Sequence, residues 1–172
     1  MQITTLQQLR ALYAEPTERA RRKQLDALDR HCKAFIALSP FVVLATADAS
    51  GRVDATPRGG APGFVVVPDD HTLLLGDAPG NNRLDALQNL LDNPQAGLLF
   101  MVPGVDETLR VNGRVMLSVD PADLAFCSDG RRTPKLVLRV AVQEAFCTAP
   151  RLSCVRSCGA KPRASRVIAC RP

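Results

Sequence analysis

The hydrophobic period of the chain changes at Ser39-Pro40, and that change limits the folds open to it. Before it, apolar residues recur every three or four positions, the spacing of a helix face. After it, they come in short β-rich runs cut by turn residues. Leu6, Leu9, Leu12 and Tyr13 predict a first helix over Thr4 to Tyr13. Pro16 suits the first turn of a second helix. That helix reads to about Leu38, with Ala20, Leu25, Leu28, Cys32, Phe35 and Ile36 toward the core. Arg19, Arg21, Arg22 and Lys23 lie on its other side among Asp26 and Asp29, which reads as a solvated face rather than a phosphate patch.

The β-rich part begins with Phe41 to Thr46, the turn Asp48-Ala49-Ser50-Gly51, and Arg52 to Thr56, a hairpin signal. Phe64 to Val67 and Thr72 to Gly76 are further strands, the first ended by Pro68-Asp69-Asp70. Asn81 to Asp92 reads as a helix stopped by Asn93-Pro94. Gln95 to Val102, Leu109 to Ser118 and Lys135 to Phe146 are strands, with a short helix over Pro121 to Cys127. The strands are short, joined by tight turns, and lack a βαβ rhythm. The expected class is mainly β with helices (α+β), a closed or half-closed antiparallel barrel. Residues 1–40 form a helical N-terminal extension, 41–146 the barrel, and 147–172 a tail outside it.

Charge narrows the function. The formal net charge is +5, with 22 Lys/Arg and 17 Asp/Glu. Six of the basic residues follow Phe146 and no acidic one does, so the first 146 residues carry 16 basic and 17 acidic side chains. A nucleic-acid-binding domain carries its basic face on the folded body, so a nucleic-acid partner is not expected. With six Phe, one Tyr and no Trp, stacking platforms for single strands are not expected either. No run approaches the roughly 20 apolar residues that span a bilayer, and MQITTLQQLR lacks the basic and apolar pattern of a secretory signal. A cytoplasmic protein without a membrane partner is the expectation. Cys32 and Cys127 are the only cysteines before the tail, which reads as two buried thiols.

Three segments carry candidate chemistry. In Asp54-Ala55-Thr56-Pro57-Arg58-Gly59-Gly60 a strand runs into an arginine fork and two glycines that let a ligand approach backbone. A plain loop is the competing reading. Pro79-Gly80-Asn81-Asn82-Arg83 stands where a helix is predicted to begin, so Asn81 and Asn82 either cap it or bond an anion, with Arg83 adding charge. In Glu107 to Arg114, strand alternation puts Arg110, Asn112 and Arg114 on one face, which either lines a cleft or faces water. The two histidines, His31 and His71, read as structural or solvated, and no Ser-His-Asp or Cys-His pair is evident, so no catalytic residue is assigned.

Taken in order and spacing, His31 to Phe41, Asp54 to Gly59, Pro62-Gly63-Phe64, Pro79 to Leu84, Asn93 to Phe100 and Pro103 to Gly113 resemble the pyridoxamine 5′-phosphate oxidase-like FMN-binding family, in its branch with a helical N-terminal extension. The resemblance spans about residues 5–146. It implies a split β-barrel that forms a homodimer, with FMN at sites built across the interface. By that resemblance Thr56, Pro57, Arg58 and Gly59 run along the flavin toward its phosphate. Asn81, Asn82 and Arg83 hold the phosphate, and Arg110 with Asn112 approaches from another strand. The chain departs from the family at Gly60, where an acidic residue is usual, and at Gly76-Asp77-Ala78, which replaces Pro-Asp-Arg.

The family commonly ends in a segment close to LHCAKALMRSxLW. Read one base out of frame, the codons from Phe146 onward permit that string at each constrained position. A frameshift after about Phe146 is therefore expected to account for the tail, against a divergent basic tail. Its cysteines contain no C-x-x-C pair, and no metal site is read. Loss of the usual ending is expected to weaken FMN binding and to bare the edge of the last strand. The functional expectation is a flavin-dependent oxidoreductase acting on a small molecule. The alternatives are a non-enzymatic flavin carrier or sensor and a deazaflavin- or haem-binding split barrel. A substrate-phosphate site for pyridoxamine phosphate itself is not evident in a second Arg/Lys cluster.

Overall fold

The computed structural model describes residues 2–18, 24–130 and 132–148. In chain order the elements are α1 (Leu6–Arg10), β1 (Gln24–Leu25), α2 (Arg30–Leu38), β2 (Phe41–Ala47), β3 (Val53–Gly59), β4 (Val65–Asp69), β5 (Thr72–Gly76), α3 (Asp85–Asp92), β6 (Gln95–Met101), β7 (Thr108–Ser118), α4 (Pro121–Phe126) and β8 (Val137–Thr148). All strand pairs are antiparallel, in the order β3-β2-β6-β7-β8-β5-β4, with β1 added to β8. The sheet curls into a split barrel whose terminal strands, β3 and β4, each carry an internal proline, Pro57 and Pro68. Proline lacks the N–H a central strand must donate, so terminal strands are where the ladder tolerates it. At Pro68 the strand does not stop as expected. It continues to Asp69 through a register shift between Val66 and Asp69.

Alternation fills the barrel. Val42 and Leu44 of β2, Leu98 and Phe100 of β6, Leu109 and Val111 of β7, and Leu138 and Val140 of β8 are all buried. Between Asn112 and Gly113 the register to β8 shifts by one residue, so Asn112 faces Glu144 and Gly113 faces Val142. Such a bulge adds twist and helps a sheet close. At Gly113 a Cβ would overlap the Ala141 carbonyl oxygen and stand 2.9 Å from Val140 Cγ1, so the strands meet here at a distance only glycine allows. Helix α2 adds Cys32, Phe35 and Ile36 to the core, and Leu28, just before it, joins them.

The N-terminal part departs from the expected pair of long helices. α1 ends at Arg10 and buries none of its residues, so its apolar stripe joins no core among the described residues. Glu18 is helical, residues 19–23 lie outside the described residues, and the helix over Arg30–Leu38 begins after Asp29, whose carboxylate accepts from the His31 and Cys32 N–H groups. Gln24 and Leu25 instead pair with β8 as a short strand. The expected basic face at 19–23 falls outside the described residues.

The last strand runs two residues past Phe146, with Cys147 opposite Leu109 and Thr148 opposite Thr108. Its far edge is not bare: β5 covers Val137 to Ala141, the His71 carbonyl accepts from Val142 N–H, and β1 covers Ala145 and Phe146. The expectation of an exposed edge is corrected by this pairing. The remainder of the tail lies outside the described residues. Among the described residues no helix is long and apolar enough to cross a membrane.

Candidate cofactor site

Strand β3 sets the site. Thr56 and Arg58 pair with the inward-facing Leu44 and Val42, so they point to the inner side of the sheet, while Pro57 stands on the outer side opposite Val43. Because β3 is a terminal strand, its inner side opens into a cavity of about 460 Å³. Thr56 and Arg58 share this cavity with Asn81, Asn82 and Arg83, and with Asp54, Asp77 and Asp85. The first two candidate segments, remote in sequence, therefore meet in one place.

Arg58 is held but not satisfied. Its Nη1 lies 3.3 Å from Asp77 Oδ1, bridging β3 to the turn after β5. Its Nε is buried with no hydrogen-bond partner among the described residues. A buried cationic donor left unpaired costs about 1–3 kcal/mol or more, which makes it a standing demand for an acceptor.

The segment leading into α3 differs from its expected form. The helix starts at Asp85, not Asn81, and its N-cap position is Leu84, with no side-chain capping bond. Asn81 Oδ1 accepts from Arg83 N–H at 3.1 Å, an Asx-type turn. Asn82 and Leu84 both take left-handed backbone, with φ of 59° and 61°. These turns delay the helix and leave Asn81, Asn82 and Arg83 as a loop over the cavity. Arg83 Nε reaches Asp85 Oδ2 at 2.8 Å. A left-handed leucine costs roughly 1–2 kcal/mol. The loop keeps this shape because α3 is pinned: Ala86 and Leu90 enter the core, and Asn89 Nδ2 donates to the buried Thr46 Oγ1 at 3.0 Å.

Arg110 and Asn112 do not line the cavity. In β7 they pair with Leu99 and Gly97, on the same outer side of the sheet as Pro57. Arg110 Nη2 lies 3.0 Å from Glu144 Oε1, and its guanidinium carbon is 5.3 Å from the Phe146 ring centre. Asn112 Nδ2 donates to Glu144 Oε2 at 3.4 Å. Gly59 closes β3, its backbone paired with Phe41. His31 takes a hydrogen bond from Arg30 Nε, and His71 lies in the β4–β5 turn. Neither histidine lines the cavity.

Sequence reasoning missed three charged residues. Glu144 organises the outer-face polar group, and Arg132 and Lys135 line the cavity from the loop before β8. The basic run Arg131-Arg132-Thr133-Pro134-Lys135 after Gly130 was the available signal for the latter two.

The molecule is a split barrel with a cavity beside its terminal strand, and Arg58 lines that cavity. The chain belongs to the pyridoxamine 5′-phosphate oxidase family, whose family model matches residues 28–148. Among curated proteins, none matches the sequence. Solved structures share the fold. Group A Streptococcus HupZ is 21% identical with a TM-score of 0.57, over 71% of this chain and 94% of that one. An FMN-binding protein from Syntrophomonas wolfei is 12% identical with a TM-score of 0.52, over 69% and 84%. General Stress Protein 26 from Bacillus anthracis is 13% identical with a TM-score of 0.52, over 70% and 95%.

Proposed function

We propose that the chain binds FMN, with the phosphate in the cavity at Arg58, and serves as a flavin-dependent oxidoreductase for a small molecule. The observation that carries this reading is the buried, partnerless Arg58 Nε in the cavity it shares with Asn81, Asn82 and Arg83. Arginine offers a planar fork that suits phosphate oxygens. Asn81 and Asn82 add amide donors, and Thr56 a hydroxyl. FMN, when bound, supplies the redox chemistry, while the protein supplies orientation and electrostatics. A Syntrophomonas wolfei neighbour described as FMN-binding supports the cofactor choice.

A homodimer belongs to the same proposal. Val53 and Leu99, on the outer side of β3 and β6, are exposed, and the flanking Ala45 and Ala55 are small. A second copy on this face would cover apolar surface and bring Arg110 and Asn112 next to a neighbouring subunit. In this reading they meet the flavin from the partner's side.

The test is a titration of the purified full chain with FMN and with riboflavin, followed by flavin fluorescence, with light scattering for mass. FMN binding at one per chain, at least tenfold tighter than riboflavin, supports the reading. Equal affinity for the two removes the phosphate from the site, and no binding of either removes the flavin. If the frameshift proposed for the tail is correct, restoring the frame strengthens FMN binding.

A further inference from the structure

A single register shift decides which way Glu144 points. Ala141 lies on the outer side of β8, opposite Arg114. Strict alternation from there would turn Gln143 and Ala145 outward, and Glu144 and Phe146 inward. A lone carboxylate would then enter an apolar barrel, at high cost. The shift between Asn112 and Gly113 leaves Gln143 without a partner in the ladder and reverses the two sides. Ala145 becomes fully buried opposite Val111, and Glu144 and Phe146 stand outside, opposite Asn112 and Arg110. Bulges re-aim side chains in this way, and they are over-represented next to functional sites.

Once outside, Glu144 uses both carboxylate oxygens. Oε1 accepts from Arg110 Nη2 at 3.0 Å, and Oε2 accepts from Asn112 Nδ2 at 3.4 Å. The same Arg110 guanidinium lies over the Phe146 ring. Because the Asn112 amide gives its NH2 to Glu144, its carbonyl oxygen is the end left over. Asn112 Oδ1 reaches across to β6, where Gly97 makes room: a Cβ there would stand 3.3 Å from it. Among the described residues Oδ1 receives no hydrogen bond. The outer face thus presents a fixed, open acceptor at Asn112 beside the remaining N–H donors of the half-exposed Arg110.

We propose that Glu144 is the positioning residue of this face, fixing Arg110 and Asn112 in the donor and acceptor pattern they offer to the flavin ring of a neighbouring subunit. The inference rests on the FMN-binding homodimer proposed above and adds the residue that orients its outer half. The isoalloxazine ring carries an N–H flanked by two carbonyls, which an open acceptor beside guanidinium donors complements. Side chains already held in place lose less freedom when a ligand arrives, so their orientation counts toward affinity.

FMN affinity of the full chain is measured by flavin fluorescence in the parent, E144A, R110A/N112A and R110A/N112A/E144A. The visible absorption of the bound flavin and the thermal unfolding of each protein are recorded in parallel. E144A is expected to lose at least fivefold in FMN affinity and to shift the visible band of the bound flavin. In the R110A/N112A background the same substitution is expected to change affinity less than twofold. An equal loss in both backgrounds overturns the proposal, because Glu144 then acts through the fold and not through those two side chains. FMN bound by the parent with an affinity that E144A leaves unchanged also overturns it, and leaves the flavin reading standing. A parent that binds no FMN removes the flavin reading and this inference together. Should E144A not unfold cooperatively, E144Q takes its place. Its amide keeps the size of the side chain but meets the Asn112 NH2 with an NH2 of its own, so the same loss and the same dependence on Arg110 and Asn112 are expected.

Discussion

Arg58 reaches across the mouth of the barrel to Asp77, 3.3 Å from Nη1 to Oδ1, while its own Nε stays buried without an acceptor. The pair ties a terminal strand to the turn that follows β5, and it puts a carboxylate beside the group proposed to bind phosphate. Two substitutions separate these roles. R58A removes the fork, and FMN affinity is expected to fall at least tenfold, equivalent to about 1.4 kcal/mol. D77N keeps an oxygen for Arg58 to bond and removes the repulsion an incoming phosphate meets, so FMN affinity is expected to rise. Fluorescence titration of both variants checks this, and a D77N protein that binds more weakly than the parent would contradict it.

Asn89 is the pin beneath the same loop. Its amide bond to Thr46 crosses from α3 to β2 in the interior. Asn89→Ala leaves the buried Thr46 hydroxyl without its partner, which costs about 1–3 kcal/mol. Urea unfolding is expected to show that loss. FMN affinity should fall as well, because the left-handed turn at Asn82 and Leu84 loses its anchor.

The barrel was legible because strand alternation and turn residues are local signals: Val42, Leu44, Leu98 and Phe100 alternate in the sequence as they do in the core. The cavity was legible only in pieces. Thr56, Arg58, Asn81, Asn82 and Arg83 come to line one cavity, and no local pattern says that Arg110 and Asn112 stand on the other side of the sheet. That follows from strand order, which brings β3, β2, β6 and β7 side by side. The helix expected from Pro16 to Leu38 failed for a related reason. Leu25 sits at helical spacing, yet its backbone pairs with Ala145 of β8, and tertiary pairing overrides a periodic signal. At Asn81 the error was local. A cap residue was read as a helix start, whereas its side chain closes a turn before the helix begins.

Gly113 tests the bulge that shapes the barrel. An alanine there meets the Ala141 backbone rather than a movable side-chain tip, so the strands must separate. Gly113→Ala is expected to destabilise the chain by about 1–3 kcal/mol, in the range of core overpacking. Gly104, at a turn with nothing near its missing Cβ but a φ of 81°, offers a contrast. Ala there is strained by backbone alone, and its cost should be the smaller of the two. Thermal unfolding of both variants gives the comparison.

Asp29 caps α2, and its pH dependence has a definite sign. Burial raises its pKa, but the N–H groups of Cys32 and His31, with the Cys32 thiol, outweigh that and hold it below the usual carboxylate value. A depressed folded-state pKa contributes stability above the unfolded value of about 3.9, and that contribution is lost as pH falls through the folded value. Asp29→Ala is therefore expected to cost about 1 kcal/mol at neutral pH. The gap to the parent should narrow below about pH 4. Asp29→Asn, which can cap without a charge, should show no such narrowing in urea titrations across that range.

Cys32 lies one turn into the helix that Asp29 caps, at 4% exposure. Burial, reinforced by the Asp29 carboxylate, pushes its thiol up to about 12. The reactive species is the thiolate, so at pH 8 almost none is present while the helix is folded. Alkylation of the native protein with iodoacetamide at that pH, mapped by peptide mass, is expected to label Cys32 last and at least a hundredfold slower than in urea. Cys127, half-buried beside Asp123, is also raised, and should label at an intermediate rate. Asp29→Ala removes one of the two causes and lets the helix end open, so Cys32 labelling should quicken in that variant. Equal rates in the parent and Asp29→Ala proteins would show that access through α2 and the nearby charge do not govern this thiol.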